Sequence, residues 1–217
     1  MEETILITGK HSAISDDLIQ ESLNRGARVF ATHDGAGEQP EVPDTIGDAL
    51  TYVAWSRRSL LSARSMLLTV DRESSGFRRA VVVCAPEGVH SPLHETQSAL
   101  VEERIDLSLK GYLFVIKELS AYFLRNGGGE LSILWYDGGA EILAPLDAAI
   151  VGAIRELARS LFAFYENEPL RIRGFEASDA ESRAVARWVL DSIFDKSGKS
   201  VGRWIKYGRS GILPFRH

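Results

Sequence analysis

Ala80-Val81-Val82-Val83-Cys84-Ala85 is apolar from end to end, and its length suits a strand bounded by turns. A strand with no polar alternation is one covered on both faces, as in a parallel sheet layered between helices. Working outward, Thr4-Ile5-Leu6-Ile7-Thr8 is a second β-branched run, and it ends at Gly9. Ala27 to Ala31, Leu50 to Trp55, Glu130 to Tyr136, Leu170 to Phe175 and Ser200 to Tyr207 read as further strands. Helical patterns separate them. One starts at Ser15 as a cap, with Asp16 and Asp17 in its first turn, and runs to Gly26. Others span Arg57 to Val70, Leu93 to Arg125, Pro145 to Tyr165 and Ala180 to Phe194. His33 to Pro43 reads as a loop.

Strands alternating with helices from end to end predict an α/β class: a doubly wound, mostly parallel sheet in three layers, one domain over residues 1–217. The expectation is seven strands with three helices on each face. Ile5, Ile7, Val29, Val81, Val83, Ile133 and Ile172 would lie in the core. Ligands of such sheets bind beyond the carboxyl ends of the strands. Here that edge gathers the loops after Ile7, Ala31, Cys84, Leu134 and Phe175.

Composition narrows the function classes. The chain of 217 residues has 25 basic and 30 acidic side chains, a net charge of −5, which argues against a nucleic-acid partner. The single cysteine, Cys84, excludes an internal disulfide and a thiolate metal cluster. No apolar run approaches the roughly 20 residues of a membrane span, and the acidic N-terminus is not a secretory signal. A cytoplasmic location, no membrane partner and no resident metal are the expectations. His90 and His94 stand four apart but lack a supporting ligand pattern.

The element order and several local matches resemble the short-chain dehydrogenase/reductase family, whose fold is Rossmann-like. Thr8-Gly9-Lys10-His11-Ser12-Ala13-Ile14-Ser15 stands where that family carries Thr-Gly-x-x-x-Gly-x-Gly. Gly26-Ala27-Arg28-Val29 fits its second-strand entry, and Ile105 to Gly111 its long central helix. Leu157-Ala158-Arg159-Ser160-Leu161 resembles the helix after its catalytic Tyr-x-x-x-Lys, and Arg171 to Phe175 its sixth strand. The resemblance implies NAD or NADP as cofactor, a homodimer or higher homo-oligomer paired through the central helix and the helix after Pro145, and a catalytic tetrad of Asn, Ser, Tyr and Lys. In that second helix Ala148, Ala149, Gly152 and Ala153 leave a low surface for a partner helix.

The tetrad positions hold other residues. Counted back from Leu157, the Tyr position is Asp147 and the Lys position Val151; the Asn position is Ser108. The Ser position falls within Leu134 to Tyr136, with Tyr136 the candidate at the ligand-facing end. Of three glycines in the phosphate loop only Gly9 remains, with Ala13 and Ser15 in the other two places. Asp16 and Asp17 would add negative charge where a pyrophosphate docks. Cys84-Ala85-Pro86 stands where the family has Asn-Ala-Gly.

Two functions follow. The first is a catalytically inactive relative acting as a binding, scaffold or regulatory subunit, with no cofactor. The alternative is an NAD(P)-dependent oxidoreductase with an atypical site, using Ser108, Tyr136 or Asp147, its cofactor held by Gly9, Ser12 and Asp34. Lys10, His11 and Ser12 read as a phosphate cradle or, since the glycines are missing, as a solvated turn. Asp147 is a general base or a helix-dipole partner. Tyr136 and Asp137 bind a ligand or stay idle, and Trp135 stacks on one or fills its space. Cys84 reads as an inert core thiol, and Arg57, Arg58 and Arg64 as a solvated helix face.

Overall fold

A computed structural model describes residues 3–9, 12–34, 40–42, 46–85, 91–138, 142–178, 180–195 and 201–208. The strands are β1 (Thr4–Ile7), β2 (Arg28–His33), β3 (Leu50–Ala54), β4 (Arg79–Cys84), β5 (Gly129–Tyr136), β6 (Leu170–Ala177) and β7 (Trp204–Lys206). They form one seven-stranded sheet in the order β3-β2-β1-β4-β5-β6-β7. Every pairing is parallel, so all carboxyl ends meet at one edge. The helices are α1 (Ala13–Asn24), α2 (Leu60–Ser74), α3 (Ser98–Arg104), α4 (Gly111–Arg125), α5 (Pro145–Phe164) and α6 (Ser182–Phe194). A six-residue π-helical segment, Ile105–Lys110, joins α3 to α4 without a break.

Successive side chains of a strand point to opposite faces, and each face has its own core. Leu6, Phe30, Val82, Ile133 and Ile172 pack against α2, α4 and α5. Ile5, Ile7, Val29, Val81, Val83 and Phe175 pack against α1 and α6. The seven residues expected in the core are all buried. The expectation of three helices on each face is corrected: among the described residues three cover one face and two the other. Before β3 a short 3₁₀ turn (Gly47–Ala49) leads into the strand, and Val42, Ile46 and Tyr52 pack against the α1/α6 core.

Charged seams join neighbouring helices. Glu21 of α1 accepts from Arg183 Nε at 3.0 Å and Arg187 Nε at 3.1 Å on α6. Glu118 of α4 accepts from Arg64 Nε of α2 at 3.0 Å and from Lys117 Nζ at 2.7 Å. Arg64 is exposed on α2, as read from the sequence, and reaches Glu118 across this seam. The arginine bonds hold the carboxyls of both Glu21 and Glu118 below their ordinary value of 4.5, against the opposing effect of burial.

A carboxyl held low binds fewer protons folded than unfolded, so its stabilisation is present above the unfolded pKa and is lost as pH falls through the folded one. Denaturant unfolding across a pH series is therefore expected to show stability falling on acidification below about pH 4.5. A Glu21→Gln, Glu118→Gln variant, less stable at neutral pH, should lose less over the same range.

Candidate functional site

The strand order reverses between β1 and β4, which opens a crevice at the carboxyl edge. Thr8 fastens the two strands there: its N–H donates to Val81 O at 2.9 Å, and its Oγ1 accepts from Val83 N–H at 3.2 Å. Gly9 follows with φ +95°, and a Cβ on it would lie 3.0 Å from Val83 Cβ. This position requires glycine on both counts. Its N–H donates to Thr32 Oγ1 at 3.2 Å.

Helix α1 begins at Ala13 with Ser12 in the extended cap conformation, which corrects the reading of Ser15 as the cap. Ser15 lies in the first turn, buried, and its hydroxyl donates to Gly9 O. Ser12 Oγ is 2.8 Å from Ser15 Oγ and 3.4 Å from Gly9 O. The loop hydroxyls are thus turned onto the loop's own backbone. Because the helix starts earlier than expected, Asp16 alone is in its first turn. Asp17 accepts instead from Ser182 Oγ on α6. Lys10 and His11 lie outside the described residues, as do Pro86 and His90.

At the end of β2, His33 is buried, with Nδ1 3.1 Å from Asp34 O, and Asp34 is exposed. Cys84 is fully buried at the end of β4, which pushes its thiol well up, with Arg57 acting weakly the other way. Arg57 and Arg58 precede α2 instead of lying on it; Arg58 is exposed, in keeping with the solvated reading, while Arg57 is half-buried and packs on the helix across the site. A Cβ on Gly111 would lie 2.7 Å from Arg57 Cβ and 3.0 Å from Arg57 O, so this close approach depends on glycine. Arg58 Nη2 meets Glu103 Oε1 at 2.5 Å.

The residues at the tetrad positions divide between the two faces. Asp147, in the first turn of α5, is buried and accepts from Arg104 Nη2 at 3.3 Å, the two side chains being 10% and 4% exposed. Ser108 is buried in the π-helical segment that begins directly after Arg104. Val151 is buried in the same core as Trp135, whose ring fills space there. Tyr136 points to the opposite face. It packs with the α1/α6 core, and its hydroxyl donates to Ala180 O at 2.8 Å. Burial, with Asp137 and Asp17 nearby, pushes its pKa up. Asp147 and the segment holding Ser108 are brought together; Tyr136 is not among them. Arg104 is the residue sequence reasoning missed, since nothing local marks a partner 43 positions away.

His94 is exposed beside Glu95. Among the described residues, no group of three or more His, Cys, Asp or Glu is placed to hold a metal ion. No helix among them is long and apolar enough to cross a membrane.

No protein-family model matches the chain, and no curated protein matches it by sequence. Solved structures do match. A 3-ketoacyl-(acyl-carrier-protein) reductase from Brucella melitensis, complexed with NADH, has a TM-score of 0.79 at 17% identity, covering 96% of this chain and 98% of its own. A short chain dehydrogenase from Bacillus anthracis has a TM-score of 0.78 at 13% identity, covering 94% of each chain. A putative short chain dehydrogenase/reductase family oxidoreductase from Aeromonas hydrophila has a TM-score of 0.79 at 15% identity, covering 94% and 98%. The chain has the short-chain dehydrogenase/reductase fold, Rossmann-like and three-layered.

Removing one partner of a buried ion pair strands the other charge, at a cost of about 3–5 kcal/mol. Arg104→Met and Asp147→Asn are each expected to destabilise the chain on that scale. The double variant should lose clearly less than the two losses added, as measured by denaturant unfolding in a double-mutant cycle.

Proposed function

We propose that this chain is a short-chain dehydrogenase/reductase relative without reductase chemistry, working as a binding, scaffold or regulatory subunit. The observation that carries the reading is the Arg104–Asp147 pair at the position where the family has its acid/base tyrosine. A carboxylate already engaged by a guanidinium is an acceptor, and it does not stand in for a phenol that donates a proton to a carbonyl. Val151, where the family's lysine would lower that phenol's pKa and hold a ribose, supplies no charge and is buried among apolar side chains. Tyr136 is committed to Ala180 O on the other side of the sheet.

The residues present do not fit a nicotinamide dinucleotide. Ala13 adds a side chain where bare backbone would let a pyrophosphate approach, Ser15 adds one where helix and strand would pack closely, and the hydroxyls of Ser12 and Ser15 are turned to Gly9 O. The charge argument against a pyrophosphate is reduced to Asp16. Losing a charge-assisted hydrogen bond to the ribose costs on the order of 1.5–3 kcal/mol, before steric effects. Two observations favour the oxidoreductase alternative: one solved neighbour is complexed with NADH, and Asp34 is exposed past β2, where a ribose hydroxyl would need an acceptor.

Titration calorimetry with NAD⁺, NADH, NADP⁺ and NADPH decides between the two. The expected outcome is binding at about 1 mM or weaker for all four. A dissociation constant at or below about 10 μM, worth about 7 kcal/mol, overturns the non-catalytic reading in favour of the atypical oxidoreductase.

The proposed subunit pairs with a second copy through α4 and α5. Ala148, Ala149, Gly152 and Ala153 are exposed along α5, space beside Gly152 is open, and Phe164 at the same helix's end is 81% exposed. Sedimentation at micromolar concentration is expected to give a dimer or larger species. Gly152→Glu, which puts a charged side chain on that low surface, should shift it to monomer; a wild-type chain found only as monomer removes the proposal.

A further inference from the structure

We infer that residues 98–110, α3 with its π-helical segment, form a strap latched over the carboxyl edge of the sheet by two ion pairs and able to lift independently of α4. Gly111 is packed on Arg57, just past the end of β3, so the helix N-terminal to Gly111 projects beyond the sheet at the edge where ligands enter. The projecting stretch is held on both sides. Glu103 is paired with Arg58 on the β3–α2 connection, and Arg104 with Asp147 at the start of α5.

What holds the strap differs in kind from what holds α4. Between Ser98 and Lys110 the buried residues are Arg104 and Ser108, both polar, and the apolar side chains are half-buried or exposed, Ile105 at 39%. Across the next fifteen residues Tyr112, Val115, Ile116, Leu119 and Phe123 are buried in the sheet's core. Segments with few buried apolar contacts open at lower free energy than the core elements beside them. The π-helical segment marks the boundary between the two regimes, a geometry rare in helices and frequent at functional sites. Lifting the strap uncovers Asp147 and carries Ser108 away from it, so it governs the make-up of the candidate site, whether or not that site takes a nucleotide.

Hydrogen exchange resolved along the chain tests the strap. In the wild type, amides of residues 98–110 are expected to exchange at least about tenfold faster than those of α4. Asp147→Asn should bring exchange in 98–110 close to the unprotected rate, while α4, which loses only part of the global stability, stays protected well beyond it. Arg58→Ala, which breaks the exposed pair, should have a smaller effect confined to the same residues. Equal protection of 98–110 and α4 in the wild type overturns the inference without recourse to a variant. So does an Asp147→Asn variant in which 98–110 stays as protected as α4 and β5, which would make the pair a general structural contact.

Discussion

Everything at the candidate site depends on the burial of the central strands on both faces. β1, β4 and β5 contribute Leu6, Val82 and Ile133 to one core and Ile5, Val81, Val83 and Leu134 to the other. Strands covered on both sides pair in parallel, and parallel strands need a crossover between each pair. The crossovers bring every β-to-α connection to one edge. The loop after β1, the start of α5 and the end of β4 are therefore neighbours although they lie far apart in sequence. Thr8, bonded to both Val81 and Val83, fixes the spacing at the centre of that edge.

Within this frame polar side chains at the carboxyl edge are bonded to the protein itself: Ser12 and Ser15 to Gly9, Tyr136 to Ala180, Asp147 to Arg104. Buried polar groups are satisfied in nearly all folded proteins. Here the satisfaction is internal at each of these positions.

The legible part of the fold was the part governed by local pattern. Ala80 to Ala85 and Thr4 to Gly9 read as buried strands because β-branched apolar runs have few other uses in a chain of this composition. The start of α1 differs from the reading because Ser12 and Ser15 are equally good caps in sequence, and only the extended backbone at Ser12, with Ser15 already helical, separates them. Three helices on each face would need six, whereas the periodicity itself offers five helical stretches and a loop from His33 to Pro43. At the site, Asp147 and Val151 come from counting back from Leu157, and Ser108 from the match of Ile105 to Gly111 to the central helix. The face taken by Tyr136 was not readable, since one residue of register on a strand reverses the side. Arg104 had no local signature, because an ion pair across 43 positions exists only once α3 and α5 are docked.

The Arg104–Asp147 pair also bears on how this sequence can change. Replacing Asp147 alone would take the carboxylate from a buried guanidinium, and replacing Arg104 alone would strand the carboxylate in the same way. The two positions are therefore expected to change together, each limiting what the other can become although 43 residues separate them.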